Sequence, residues 1–374
     1  MFKDQDISYM LRAINLAKKA WYLTDPNPRV GCVIAKNNQI IGEGFHIKAG
    51  GPHAEIHAIR AAQENGYSVK GATAYVSLEP CSHHGKTPPC CDALIENGIS
   101  RVVVAMTDPN PLVSGKGIER LKKAGVEVDV GLLEKDARDL NPEFLYKMKY
   151  SKPYIRCKMG MSLDGRTAMA SGESQWITSS DSRLDVQRIR AESSAILTGI
   201  GTVLADNPSM NVRENIYTAS ADNEIRQPEK LIMDSQLRIP IDAKILALPE
   251  LVTVFTSSKQ LFNDKSIKLR DMGVRIISLN EADYGLDLNQ LMDELSSMSH
   301  NSVLLESGKS LAGSLLSEKL VNEIVLYIAP TLLGNEARGL FDLPQLQFLK
   351  DAPKLSIKDL RQIGPDIRII ATLL

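Results

Sequence analysis

The chain has 374 residues, 43% hydrophobic and 24% charged, ordinary fractions for a packed globular protein that exclude a disordered or collagen-like polymer. The length exceeds one small core and implies two domains. Lys plus Arg number 44 against 45 for Asp plus Glu, a net charge of −1, which argues against a nucleic-acid binder working through bulk positive charge.

Ile7 to Leu23 carries apolar residues at helical spacing, and Asp25-Pro26-Asn27-Pro28 stops that helix in a turn. Val30 to Ala35 reads as a strand, Lys36 to Gln39 as a hairpin turn, and Ile40 to Gly42 as the start of the return strand. His53 to Glu64 is a helix closed by Asn65-Gly66, and Thr73 to Leu78 a strand. Cys90 to Asn97 and Ile118 to Ala124 are helices closed by glycines, while Arg101 to Met106 and Val126 to Val130 are strands. This alternation predicts a sheet covered by helices, parallel in its later part. A basic, polar stretch ending at Pro153 places a boundary near Met148 to Lys152, giving domains 1–148 and 149–374. The second part again mixes helices with strands, at Tyr154–Met159, Ala195–Leu197, Lys230–Met233, Val252–Phe255, Val274–Ile277, Val303–Leu305, Glu323–Ile328 and Ile367–Leu373. Asn211 to Gln227 reads as a surface loop. The overall class is α/β. No stretch is apolar for long enough to span a bilayer, and the first residues lack the regions of a signal peptide, so no membrane partner and a cytoplasmic location are expected.

Five cysteines, Cys32, Cys81, Cys90, Cys91 and Cys157, are too sparse for a disulfide framework. Three of them fall within eleven residues, which favours metal or catalytic use. His53-Ala54-Glu55 opens a helix, and Pro80-Cys81 follows a strand and precedes Cys90. This is the H-x-E…P-C…C arrangement of nucleobase deaminases. One imidazole and two thiolates hold Zn²⁺ and leave a position for water, whose pKa the metal lowers. Glu55 stays off the metal and is the general acid/base that takes a proton from water, gives it to the ring nitrogen, and later assists the departing amine. The short form of the signature has Cys-x-x-Cys, whereas eight residues separate Cys81 from Cys90 here. Zinc needs reach, not short spacing. Cys90 is preferred over Cys91 because it follows Pro88-Pro89 at the first turn of a helix. A metalloprotease pairing of His53 with His57 is disfavoured because Ala54 stands where such a helix needs Glu. His83 and His84 read as loop residues near the metal.

In the second part, Glu306-Ser307-Gly308-Lys309-Ser310 follows a strand and leads into a helix, a geometry suited to phosphate. It is not a P-loop, because Val303 stands where the first glycine would be needed. Gly199-Ile200-Gly201-Thr202 is too short for a dinucleotide fingerprint.

The sequence resembles the bifunctional riboflavin-biosynthesis deaminase–reductases. The resemblance rests on Asn27-Pro28-Arg29-Val30-Gly31-Cys32-Val33, Gly51-Pro52-His53-Ala54-Glu55, Leu78 through Cys90 and Asp108-Pro109-Asn110-Pro111 in the first half. In the second half it rests on Met161 to Arg166, Ser171 to Thr178, Thr202 to Pro208 and Met233-Asp234-Ser235. The long insert between Cys81 and Cys90 is that family's own form. The resemblance implies a cytidine-deaminase-like α/β/α domain followed by an α/β domain similar to dihydrofolate reductase. It implies zinc-dependent deamination of a phosphoribosyl-aminopyrimidine, then NADPH-dependent reduction of its ribosyl group to ribityl, on small molecules and in a homo-oligomer built through the second domain. Asn27, His46, Lys86, Asp108 and Asn110 would line the first pocket. Met161, Trp176, Thr202, Asp206 and Ser235 would contact NADPH, together with the turn Gly308, Lys309, Ser310, Leu311, Ala312, Gly313 and Ser314. Lys158, Ser174, Arg190, Met210, Arg213 and Glu306 would contact the second substrate, with Arg190 and Arg213 suited to a sugar phosphate. No general acid stands out in this half. Two other readings of the chemistry are a deaminase of a free nucleoside or of tRNA, and a zinc-stabilised nucleotide-binding module without turnover.

Overall fold

The protein is described from a computed structural model, which covers residues 2–20, 22–83, 88–111, 113–213, 226–283 and 285–374. The chain divides into two compact units, one reaching Ser151 and the next beginning at Lys152.

The first unit contains α1 (Asp4–Ala17), β1 (Gly31–Lys36), β2 (Gln39–Phe45), α2 (Ala54–Glu64), β3 (Thr73–Val76), α3 (Cys90–Glu96), β4 (Arg101–Val104), α4 (Lys116–Lys123), β5 (Glu127–Val130), α5 (Glu134–Leu140) and α6 (Pro142–Tyr150). The strands form one sheet in the order β2-β1-β3-β4-β5. Asn37 and Asn38 take φ of 51° and 62°, the left-handed pair that a tight two-residue hairpin needs, and they turn β1 back into antiparallel β2. β3, β4 and β5 run parallel to one another, as the alternating pattern predicts. Both faces are covered, so β1 is apolar from Gly31 to Ala35: Cys32 and Ile34 meet α2 and α3, while Val33 and Ala35 meet α1. The first helix ends at Ala17 and tightens into a 3₁₀ turn over Lys18–Ala20, earlier than the apolar spacing suggests. The stretch expected to hold the domain boundary begins inside α6, whose Phe144 packs under the sheet.

The second unit contains β6 (Tyr154–Ser162), β7 (Arg166–Ala168), α7 (Ser180–Glu192), β8 (Ala195–Gly199), α8 (Ile200–Asp206), β9 (Glu229–Met233), β10 (Val252–Ser257), α9 (Asp264–Asp271), β11 (Arg275–Leu279), β12 (Glu281–Ala282), β13 (Gly285–Leu286), α10 (Leu288–Ser297), β14 (Ser302–Leu305), α11 (Lys309–Ser317), β15 (Glu323–Ala329), β16 (Arg338–Gly339), β17 (Leu355–Ile363) and β18 (Asp366–Leu373). Nine strands form the main sheet in the order β11-β10-β9-β8-β14-β6-β15-β18-β17. The seven from β11 to β15 are parallel, and the β17–β18 hairpin closes one edge antiparallel. Leu197, Leu231, Phe255 and Leu305 point to the α10 and α11 side, and Ile196, Ile232, Val254 and Leu304 to the α7 and α9 side. The expected surface loop at Asn211 to Gln227 lies largely outside the described residues.

Candidate functional sites

In the first unit, three chain segments converge. α2 begins at the position where Gly42 and Gly44 of β2 let a helix lie unusually close. A Cβ on Gly44 would sit 2.5 Å from the Ala54 carbonyl oxygen, and one on Gly42 would sit 2.2 Å from that of Ala58. His53 is the N-cap of α2 in extended backbone, and Glu55 lies in its first turn, 3% exposed. The segment after β3 delivers Cys81, and the start of α3, capped by Pro89, delivers Cys90.

His53 Nδ1 lies 3.2 Å from Cys90 Sγ and 3.5 Å from Cys81 Sγ, and one donor atom from each of the three residues falls within 4.8 Å of the others. The Cys90 backbone N–H donates to Cys81 Sγ at 3.3 Å, directing the positive end of α3 at the sulfur. The Cys90 thiol foremost, with His53 and that N–H, overcomes burial to hold Cys81 well below the usual thiol range. One imidazole and two sulfurs suit zinc, and three protein donors is the number a catalytic zinc site uses, whereas a structural one takes four. Burial, reinforced by the Cys81 charge, pushes the Glu55 carboxyl up to about 7, into the range where a group both takes and releases protons. Cys91 points elsewhere: its thiol donates to the Pro80 carbonyl at 3.2 Å, and burial pushes its pKa far up.

His46 packs edge-on against His53 with ring centres 5.1 Å apart. Its Nδ1 is 3.0 Å from the Pro52 carbonyl, which can only accept, so Nδ1 carries the proton and Nε2 accepts from the Asn27 amide at 3.1 Å. Asp108 is buried, and burial raises its carboxyl to about 6, while the Asn110 N–H donates to Oδ1 at 2.8 Å. Lys86 lies outside the described residues.

The second unit holds a cleft of ≈ 1980 Å³ at the carboxyl ends of its parallel strands, where open α/β sheets place ligands. Lys158, Ser174, Trp176, Arg190, Thr202, Asp206, Met210, Arg213, Ser235, Glu306, Gly308, Lys309, Ser310, Leu311 and Ser314 all line it. Met161, Ala312 and Gly313 do not: Ala312 is fully buried in the core, and a Cβ on Gly313 would lie 2.2 Å from the Asp342 carbonyl oxygen, so this glycine serves packing. At the floor, Arg190 donates to both oxygens of Glu306, at 2.6 and 3.0 Å, and Lys158 Nζ lies 3.3 Å from Glu306 Oε2. Burial alone would raise Glu306, but the two cations hold it at about 2. The Arg190 edge expected to grip a phosphate is therefore turned to a carboxylate, and the exposed guanidinium in this set is that of Arg213.

α11 starts at Gly308 with no side-chain cap, and a Cβ there would meet nothing within 4 Å, so this helix start is open to a ligand's phosphates. Lys309 Nζ and Ser310 Oγ both donate to Asp342, at 2.6 and 2.7 Å. Trp176 is 69% exposed with Arg183 over its ring at 4.6 Å, and Asp206 accepts from the Gln175 amide at 3.2 Å. Sequence reasoning does not single out Asp342 or Glu79. Asp342 sits 32 residues beyond Ser310 with no local pattern to mark it, while Glu79 directly precedes the Pro80-Cys81 pair.

Residues 3–106 match the family described as the cytidine and deoxycytidylate deaminase zinc-binding region, and residues 153–369 match the RibD C-terminal domain. The chain is 49% identical over 368 residues to the riboflavin biosynthesis protein RibD of Escherichia coli, covering 97% of this chain and 98% of that one. Among solved structures it is similar to RibD of Acinetobacter baumannii, at 45% identity, a TM-score of 0.90 and 99% coverage of both chains. It is also similar to a Thermotoga maritima diaminohydroxyphosphoribosylaminopyrimidine deaminase/5-amino-6-(5-phosphoribosylamino)uracil reductase, at 32% identity, a TM-score of 0.85 and 99% coverage of both chains.

Proposed function

Given that the chain belongs to the RibD family of bifunctional riboflavin-biosynthesis deaminase–reductases, we propose how its own residues divide the two reactions. It is an enzyme of small-molecule substrates. A cytidine-deaminase-like unit removes an amine from 2,5-diamino-6-(5-phosphoribosylamino)pyrimidin-4-one in a zinc-dependent hydrolysis. A dihydrofolate-reductase-like unit then reduces the ribosyl chain of 5-amino-6-(5-phosphoribosylamino)uracil to ribityl with NADPH. The deaminase is assigned to residues 1–148 and the reductase to 149–374.

His53, Cys81 and Cys90 hold the zinc. When bound, zinc is a Lewis acid that makes water a nucleophile at neutral pH. Glu55 moves protons: its buried carboxyl takes one from water and delivers it to the pyrimidine ring nitrogen, then takes the second, from the added hydroxyl, and delivers it to the leaving amine. Asn27 orients the ring through its amide, which His46 fixes, and Asp108 and Asn110 complete the pocket with Lys86. The observation that carries this assignment is three donors within 4.8 Å of one another beside a buried carboxyl in the first turn of the helix that His53 caps.

In the reductase, NADPH supplies the hydride when bound, and the protein's part is positioning. Gly308 to Leu311 and Ser314, with Lys309 and Ser310 at the helix start, cradle its phosphates, and Trp176, Thr202, Asp206 and Ser235 hold the rest; Met161, Ala312 and Gly313 lie off the cleft and are not among these contacts. Glu306 fixes Arg190 and Lys158 on the floor under the sugar, Ser174 and Met210 shape the wall, and Arg213 meets the substrate phosphate. The β17 strand at the sheet edge carries Ile357 and Leu360 at 60% and 62% exposure, which supports a homo-oligomer joined through this unit. Among the described residues no helix is long and apolar enough to cross a membrane, and all five cysteines are free. Free thiols support a reducing, cytoplasmic setting.

The decisive experiment is Glu55→Gln. Deamination of the phosphoribosyl pyrimidine should fall by about 10²–10⁴-fold, the contribution of a positioned acid/base, while zinc stays near one per chain. Deamination at the parental rate overturns the assignment.

A further inference from the structure

Glu79 lies two residues before Cys81 and is 4% exposed, yet among the described residues its hydrogen-bond partners include no cation. Its two oxygens accept four backbone N–H groups. Oε2 accepts from Asp108 at 3.1 Å and Gly115 at 2.9 Å, and Oε1 accepts from Gly117 at 2.9 Å and Ile118 at 3.2 Å. Asp108 and Gly115 are the two ends of the loop that carries Asp108 and Asn110. One carboxylate therefore closes that loop, and the same carboxylate serves the first N–H groups of α4.

The arrangement is not the ordinary way to finish a helix. α4 begins at Gly115, in left-handed backbone at φ 77°, and has no side-chain cap of its own. A Ser or Asp at the cap would satisfy those donors locally. Here the acceptor comes instead from the strand end that leads to Cys81. The attachment is tight on the backbone side as well. The Glu79 N–H donates to the Met106 carbonyl at 3.0 Å, just after β4. A Cβ on Gly117 would meet the Pro80 carbonyl oxygen at 2.1 Å, so the start of α4 lies directly on the Glu79–Pro80 bend. The Cys91 thiol, bonded to the Pro80 carbonyl, lies 3.6 Å from that of Gly117 and links the two segments a second time.

We infer that Glu79 is a positioning residue of the deaminase: it fixes the Asp108–Gly115 loop to the segment that delivers Cys81, setting the substrate-side groups against the metal-side donors. This rests on the assignment of Asp108 and Asn110 to the substrate pocket. Reactions that depend on orientation lose about 10²-fold for a 1 Å misplacement, so a loop held at both ends by one side chain makes that side chain a determinant of rate without its touching substrate.

Glu79→Gln tests it. An amide offers one accepting oxygen, and its NH₂ would face two N–H donors, so one of the two pairs of bonds must break. Zinc content should remain near one per chain, and the cobalt-substituted protein should keep its thiolate-to-cobalt absorption. KM for the phosphoribosyl pyrimidine should rise on the order of 10-fold and kcat/KM fall on the order of 10²-fold. Parental kcat and KM overturn the inference. So does an unchanged KM with turnover and zinc falling together, since that is loss of folded protein. Hydrogen exchange on the parental protein tests the tether without any variant: the Asp108, Gly115, Gly117 and Ile118 amides should be protected as a group. Exchange of the Asp108 and Gly115 amides as fast as unbonded loop amides also overturns it. A parental protein that does not deaminate this pyrimidine counts against the assigned function, and the exchange measurement still decides the tether.

Discussion

The two sites meet the same task, holding a phosphoribosyl pyrimidine for one reaction, by different means. The deaminase site is small and complete in itself. Three donors from two helix starts and the segment after β3 lie within 4.8 Å, and the proposed acid/base, Glu55, is the second residue after one of them. The reductase site is a ≈ 1980 Å³ cleft whose lining comes from the ends of many strands, with a salt-bridged floor. The difference follows from the chemistry. A Lewis acid needs few ligands at bonding distance, so each residue is decisive. A hydride donor brings its own reactive atom, so the protein distributes its effort over many contacts of modest worth.

The sharpest way to break this comparison is Cys90→Ala. If the first site is all-or-none, the variant should bind well under one zinc per chain by metal analysis and lose deamination by several orders of magnitude, while NADPH oxidation on the deaminated substrate continues. Retention of stoichiometric zinc would transfer the ligand role to another residue. The second site should respond by degrees. Glu306→Gln leaves Arg190 and Lys158 as uncompensated cations on the cleft floor. Removing one partner of a buried pair costs about 3–5 kcal/mol, so the urea midpoint should fall, with a rise in KM for the ribosyl substrate and deamination little changed. An unchanged midpoint would mean that water screens the floor more than its burial suggests.

The contrast also explains what the sequence made legible. The convergence of His53, Cys81 and Cys90 beside Glu55 was readable because zinc chemistry restricts residue type and because each stands at an element boundary marked by Gly51-Pro52, Pro80 or Pro88-Pro89. The alternating first sheet was readable because both its faces are covered, which leaves apolar strands between short helices. The Arg190–Glu306 pair was not readable, since 116 residues separate its members and only the sheet brings α7 to the end of β14. α7 was missed for a related reason. Nearly half of its residues are charged, and it is stabilised by Val186 and Ile189 against the sheet and by the Ser179 cap, whose oxygen accepts from the Ser182 N–H at 3.2 Å. β17 was missed because its burial alternates only weakly at an exposed edge. Glu79 shows the limit most directly: its position beside Pro80-Cys81 was visible, but its partners are amides, which no side-chain pattern announces.

Acid sharpens the same distinction. Glu306 ionises at about 2 when folded, against an ordinary 4.5, because Arg190 and Lys158 outweigh its burial. A carboxyl with a depressed folded pKa contributes stability that is full above its unfolded value and is lost as pH falls through the folded one. That contribution should therefore be intact at pH 7 and disappear between about 4.5 and 2. In urea titrations the gap between the parental protein and Glu306→Gln should narrow from pH 7 to pH 3. A gap that is constant over that interval would show that the floor cations do not hold the carboxylate charged.

The smallest expected effect separates two adjacent cysteines. Cys90 faces His53 and Cys81, whereas the Cys91 thiol is turned to the Pro80 and Gly117 carbonyls and is fully buried. Both follow Pro88-Pro89, and spacing alone does not divide them. Side-chain direction at a helix start does, because successive residues project about 100° apart around the axis. Cys91→Ser keeps a donor for the Pro80 carbonyl and nearly the same volume, so the cost should stay below about 1 kcal/mol, the worth of one ordinary hydrogen bond. Zinc content and deamination should remain parental. If Cys91→Ser loses zinc as Cys90→Ala does, then the sulfur pair that grips the metal includes the second cysteine, and the first helical turn of α3 is set differently around the ion.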